Sequence, residues 1–227
     1  MSWEQKTDYA GLAGNLLVVK ESNENASSQF LEKPGQKGVI AATKLYGTKS
    51  AGPSTTYVIV GSGDLVVQIG KVTTVGEKRF ALASVVYAKT AGGEPTLTAT
   101  SVRIEDASHG TEQLFEPVTI HIDPEETAEF CLDAATVSGE ACEVTQVTTT
   151  VSGTVNPHTV NGDPVASGVH SGKVEIDVSV GQYGETDPTI APKSPFVIAQ
   201  APAHDDPDSD MPTWTVKLMK PLAKVTE

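Results

Sequence analysis

Two long alternating runs in the second half of the chain limit its possible folds more than any other feature. In one, Val174, Ile176, Val178 and Val180 alternate with Lys173, Glu175, Asp177 and Ser179. An extended backbone sends successive side chains to opposite faces, so this run predicts a strand with one buried and one wet face. In the other, Val147, Thr149, Val151, Gly153 and Val155 fall on a single face. Between the two stands Asn161-Gly162, a dipeptide that accepts the positive φ angles of a tight hairpin turn. Together they predict an extended hairpin that protrudes from a sheet.

The remainder of the chain follows the same logic in shorter pieces. Its 27 valines and 26 threonines far outnumber its 12 aromatic residues, and β-branched side chains are stiff at χ1 and pack well on a pleated surface. Strand-like runs recur at Leu16–Val19, Val39–Tyr46, Thr56–Val60, Leu65–Ile69, Arg79–Tyr87, Leu97–Glu105, Val118–Ile122 and Trp214–Leu218, with glycine and proline groups separating several of them. That spacing is the pattern of a sandwich or barrel and not of βαβ units.

One segment, 123–136, reads as a short helix. Asp123 can cap it, Pro124 fits its first position, and Glu125 and Glu126 suit the positive end of the helix dipole. Ala128, Cys131, Leu132 and Ala135 would then share one apolar face. The expected fold is mainly β, a β-sandwich or partly closed barrel with this helix and the protruding hairpin. Residues 1–14 are polar and read as an N-terminal arm, and 15–227 as a single β-rich domain. Two β subdomains divided near 106–113 are the alternative.

Charge and cysteine content exclude several function classes. With 29 acidic and 16 basic residues the formal net charge is −13, which opposes specific nucleic-acid binding because a phosphate backbone needs clustered Lys and Arg. Cys131 and Cys142 form no disulfide framework and read as small buried residues. No secretory signal precedes Leu16, and no apolar run approaches a membrane span. The expectation is a protein made in the cytoplasm that does not enter a membrane.

Chemistry-bearing residues are present but do not converge on a known signature. His121 alternates with Ile120 and Ile122, as a residue on the wet face of a strand would. His158 and His170 belong to the two arms of the predicted hairpin, where facing each other would make a simple cross-strand contact sooner than a site. Asp205, Asp206, Asp208 and Asp210 are the densest carboxylate group and the candidate metal ligands, since a hard cation wants several oxygens. Pro207 restricts Asp206, and neither the glycine nor the distal glutamate of a calcium loop follows, so a solvated acidic loop is the first reading. No catalytic residue and no cofactor is assigned, and the chain is read as non-enzymatic.

The 123–136 helix, the strand pair Glu143–Val155 and Lys173–Val180 with its hairpin, and the closing strand Thr213–Leu218 give a layout that resembles the tail-tube proteins of tailed bacteriophages. The resemblance covers roughly the second half of the chain. It implies a virion structural subunit, synthesised in a host cytoplasm, that self-assembles into stacked rings forming a DNA conduit. Its partners would be further copies of itself, with Met1–Gly14 and Asn156–His170 as the contact candidates, and other virion proteins. The alternatives are another virion role (capsid decoration, head completion or fibre base) and a β-sandwich module that binds a ligand or sugar.

Overall fold

A computed structural model describes residues 6–23, 30–34, 40–45, 52–104, 114–123, 134–139, 142–160, 163–184, 187–205 and 212–225. In chain order its strands are β1 (Leu17–Asn23), β2 (Phe30–Pro34), β3 (Ile40–Leu45), β4 (Ser54–Ile59), β5 (Gly63–Val67), β6 (Val72–Val75), β7 (Lys78–Thr90) and β8 (Thr96–Ile104). They continue with β9 (Val118–Ile122), β10 (Ala135–Ser138), β11 (Cys142–Val160), β12 (Asp163–Gln182), β13 (Thr189–Pro192), β14 (Val197–Asp205) and β15 (Thr213–Leu222).

Most of them join one large sheet in the order β1-β4-β8-β7-β11-β12-β15-β14, with β6 also paired to β7. Every neighbouring pair along that path is antiparallel. The alternation seen in the sequence sets the register. Val151 lies opposite Val174 and Val85, Thr149 opposite Ile176 and Tyr87, and Val216 and Leu218 opposite Val178 and Ile176. These residues, with Leu97, Ala99 and Tyr57 further along, form one continuous apolar face. The opposite face carries Ser84, Thr98, Thr148, Thr150 and Ser152, with Glu175 and Asp177 paired to Lys173 and Lys217 at 2.9 and 3.4 Å.

Short two-stranded sheets supply the second layer. β5 pairs with β9 and β10 with β13, and their buried residues (Leu65, Val67, Ile120, Ile122, Ala135, Ile190) join the same core as the large sheet. β2 and β3 pair with each other. The architecture is therefore mainly β and sandwich-like, as the strand pattern predicts.

The sheet as a whole does not close into a barrel. One parallel bridge, Ala166 to Ile104, brings the far part of β12 onto β8, so only the β8-β7-β11-β12 end is closed by pairing. Among the described residues the two remaining ends of the path, β1 and β14, are the edges of the sheet.

The hairpin is present, with β11 ending at Val160 and β12 beginning at Asp163. Beyond Ser152 and Gly172 these strands leave their outer neighbours β7 and β15. The extension does not simply project, because Val165, Ala166 and Val169 are buried. Gly153 makes this bend possible: a Cβ there would sit 2.2 Å from Val169 Cγ1 and 2.8 Å from Ile69 Cγ2.

The helix expected over 123–136 needs correction at its end. Positions 124–133 lie outside the described residues. Ala135 and Thr136, assigned to its last turn, instead begin β10 and pair with Pro192 and Ala191. The local helix signals in Asp123, Pro124 and the glutamates do not reach this far. A distant strand supplies the backbone partners for Ala135–Ser138, and Thr136 and Val137 suit an extended chain.

Candidate functional site

The described part of the expected arm is docked on the core. Asp8 organises it: its carboxylate accepts hydrogen bonds from the backbone N–H groups of Ala10 (3.1 Å), Gly11 (2.9 Å) and Ala13 (2.7 Å), and from the Tyr57 hydroxyl. A short acceptor that bends the following backbone around itself is the local chemistry aspartate favours. Gly11 adopts the positive φ of 66° that the bend requires. Ala10 and Leu12 are thereby buried, the Tyr9 ring meets Phe80 edge-on at 5.0 Å, and the Ser101 hydroxyl donates to the Tyr9 carbonyl.

Replacing Asp8 with alanine leaves several donors without their acceptor and is expected to cost about 2 kcal/mol. Chemical denaturation, with faster amide exchange at Ala10, Gly11 and Ala13, would check it.

Tyr57 reports on the same contact. Burial first, and then its hydrogen bond to Asp8, hold its phenol well above the usual 10.0. The folded state therefore keeps this proton at a pH where the unfolded chain has lost it. The sign follows: stability is full below pH 10 and falls as pH rises beyond it. Tyr57→Phe should flatten that alkaline decline in a series of urea titrations, and an unchanged slope would show that Tyr57 is not its source.

The residues singled out for metal or histidine chemistry do not assemble. Asp205 ends β14 with its backbone opposite Thr213, while Asp206, Asp208 and Asp210 lie outside the described residues. His158 pairs across the hairpin with Val165, not with His170. A bulge between Val155 and Pro157 shifts the register, so the expected histidine pair does not form. His170 is instead exposed, with Nε2 3.3 Å from the Ser167 hydroxyl. His121 stands on the wet side of β9 beside Asp64 at 2.9 Å, an exposed pair worth at most about 1 kcal/mol. Cys142 is half-buried, with Sγ 3.5 Å from the Gly139 carbonyl, and Cys131 lies outside the described residues. Among the described residues no three His, Cys, Asp or Glu side chains are grouped to hold a metal ion.

The distinctive surface is at the edges of the large sheet. β14 pairs on one side with β15 and ends the sheet on the other. Its residues Val197–Ala203 are exposed on both faces, and no charged side chain occurs from Ser194 to Ala203. At the other edge Val18 lies opposite Val58, with Val60 two positions further along. Eight large hydrophobic side chains are exposed among the described residues; three stand on these edge strands, Val18 (51%), Val197 (53%) and Ile198 (43%), and Val58 (43%) and Val60 (55%) lie next to β1 on β4 and just beyond its end. An uncovered strand edge offers unpaired N–H and C=O groups that template another strand. Main-chain pairing is thus the chemistry these edges can perform.

Of the contact candidates in the sequence, Asn156–His170 includes the buried Val165, Ala166 and Val169, which face the chain's own core. Sequence reasoning missed β14 altogether, because a strand exposed on both faces has no alternation to reveal it. The usable signal was its lack of charge in an acidic chain.

No protein-family model, no curated protein and no solved structure matches this chain.

Proposed function

We propose that this chain is a non-enzymatic structural subunit that associates with copies of itself, and that its place is in a virion as a tail-tube-like protein building stacked rings around a DNA conduit. The observation that carries the reading is the presence of exposed apolar side chains on and beside the two end strands of one antiparallel sheet. Scattered surface valines need no explanation, but a stretch such as Val197–Ala203, exposed on both faces and free of charge, is a surface that soluble monomers normally blunt. The net charge of −13 suits a wall that nucleic acid passes without sticking. The tail-tube assignment itself is supported by the layout of the long hairpin, its flanking strands and the closing strand β15.

Sedimentation velocity over a wide concentration range tests the self-association. The native chain should sediment faster as concentration rises. A variant with Val197→Lys and Ile198→Lys should remain a monomer, with stability within about 0.5 kcal/mol of the native chain because both positions are exposed. A concentration-independent monomer for the native chain would overturn the reading.

A further inference from the structure

We infer that the two edges are partners for each other: β14 of one copy pairs antiparallel with β1 of the next. The inference rests on the self-association reading and specifies its contact. Strand direction is the first argument. Seven antiparallel pairings separate β1 from β14 along the path of the sheet. The two edge strands of one chain therefore run in opposite directions. Placing a second copy alongside in the same orientation brings its β1 against β14 of the first with the alternation unbroken.

Face matching is the second argument. Val197 lies opposite Met219, which lies opposite Glu175, so Val197 belongs to the outer face of the sheet. Val18 belongs to that face too, because its neighbours Leu17 and Val19 stand opposite Ile59 and Tyr57 on the inner side. A joint between like-oriented copies sets Val197 on the same face as Val18, with Val58 on the next strand beyond it, burying apolar side chains that each copy leaves wet.

Charge is the third. Two chains of net charge −13 repel at long range, and contact is least opposed where neither surface adds to that charge. The exposed stretch of β14 carries none, and β1 carries only Lys20 and Glu21, which cancel.

The joint is short. Register shifts between Val19 and Glu21 on β1 and between Ile198 and Gln200 on β14, the Leu17 carbonyl already accepts from the Gly14 N–H at 3.0 Å, and Pro202 has no N–H to donate, so main-chain pairing is confined to Val18–Val19 against Val197–Ile198. A contact between two different edges is head-to-tail, so it continues into a ring or a filament and does not stop at a dimer.

Cysteine cross-linking tests it. Val18→Cys is made alone and combined with Val197→Cys or Gln200→Cys, the β14 residues opposite the outer-face Met219 and Lys217, and each of the last two is also made alone. All are treated with a short bismaleimide beside the unsubstituted chain, whose own cysteines set the background. The combined variants should give a ladder of dimers, trimers and larger species. Single variants should stay at background, and a mixture of Val18→Cys chains with one β14 variant should stop at dimers. Dimers from a β14 variant alone would mean that two β14 edges meet, and would overturn the proposal. No cross-link from any variant while the chains still associate in sedimentation would overturn this joint and leave the self-association reading standing. Neither cross-links nor association would overturn both.

Discussion

Gly153→Ala is expected to destabilise the protein by about 3 kcal/mol, the upper part of the range for forcing an extra carbon into a packed site. The added Cβ would lie 2.2 Å from Val169 Cγ1, 2.8 Å from Ile69 Cγ2 and 2.9 Å from the Ser171 carbonyl oxygen. None of these neighbours yields cheaply. Val169 and Ile69 are both buried, and Ser171 belongs to the paired strand β12. The clash falls where the hairpin leaves β7 and β15 and turns its valines inward, so relief would require unseating that whole extension. In a chain of this size the loss corresponds to a fall in Tm of about 10 °C. Gly93→Ala is the control: its Cβ would meet Thr90 no closer than 3.6 Å, an ordinary contact. It should change stability by less than about 0.5 kcal/mol. Equal melting temperatures for the two variants would show that the close approach at Gly153 is not as described.

Phe115→Ala should cost about 4 kcal/mol, in the range for emptying an aromatic site. Phe115 is among the largest fully buried side chains, and its ring lies 3.0 Å from where a Cβ on Gly172 would be. Its backbone also holds separate pieces together. The Phe115 N–H donates to the Ile69 carbonyl, Gln68 Nε2 donates to the Phe115 carbonyl, and Glu116 and Val225 exchange backbone bonds with Ala223 and Leu114. The cavity would thus open where the end of β5, the start of β9 and the end of β15 meet. Urea denaturation monitored by tryptophan fluorescence would measure the loss. A change below about 1 kcal/mol would mean that the site collapses around the smaller residue.

The sequence revealed structure wherever one face is buried and the other is wet. β12 shows its Val174–Val180 alternation because Ile176 and its neighbours meet the core while Glu175 and Asp177 meet water. β14 is hidden for the converse reason: with both faces exposed, nothing selects an apolar residue at every second position. The four-residue strands β6, β10 and β13 are too short to establish a period. In β10 the long-range pairing with β13 also overrides a helix pattern that extended to Ala135. The edges themselves could not be read from the sequence. That β1 and β14 end the sheet follows from its strand order, and no local pattern records that β7 and β8 stand between β4 and β11. Asp8 was legible only as part of a polar arm, since its partner Tyr57 is 49 residues away.

Negative-stain electron microscopy of the purified chain across a concentration series tests the central claim most directly. The account predicts rings or tubes of uniform diameter in the native sample and their loss in the Val197→Lys, Ile198→Lys variant. Isolated particles of monomer size at every concentration of the native chain would contradict it.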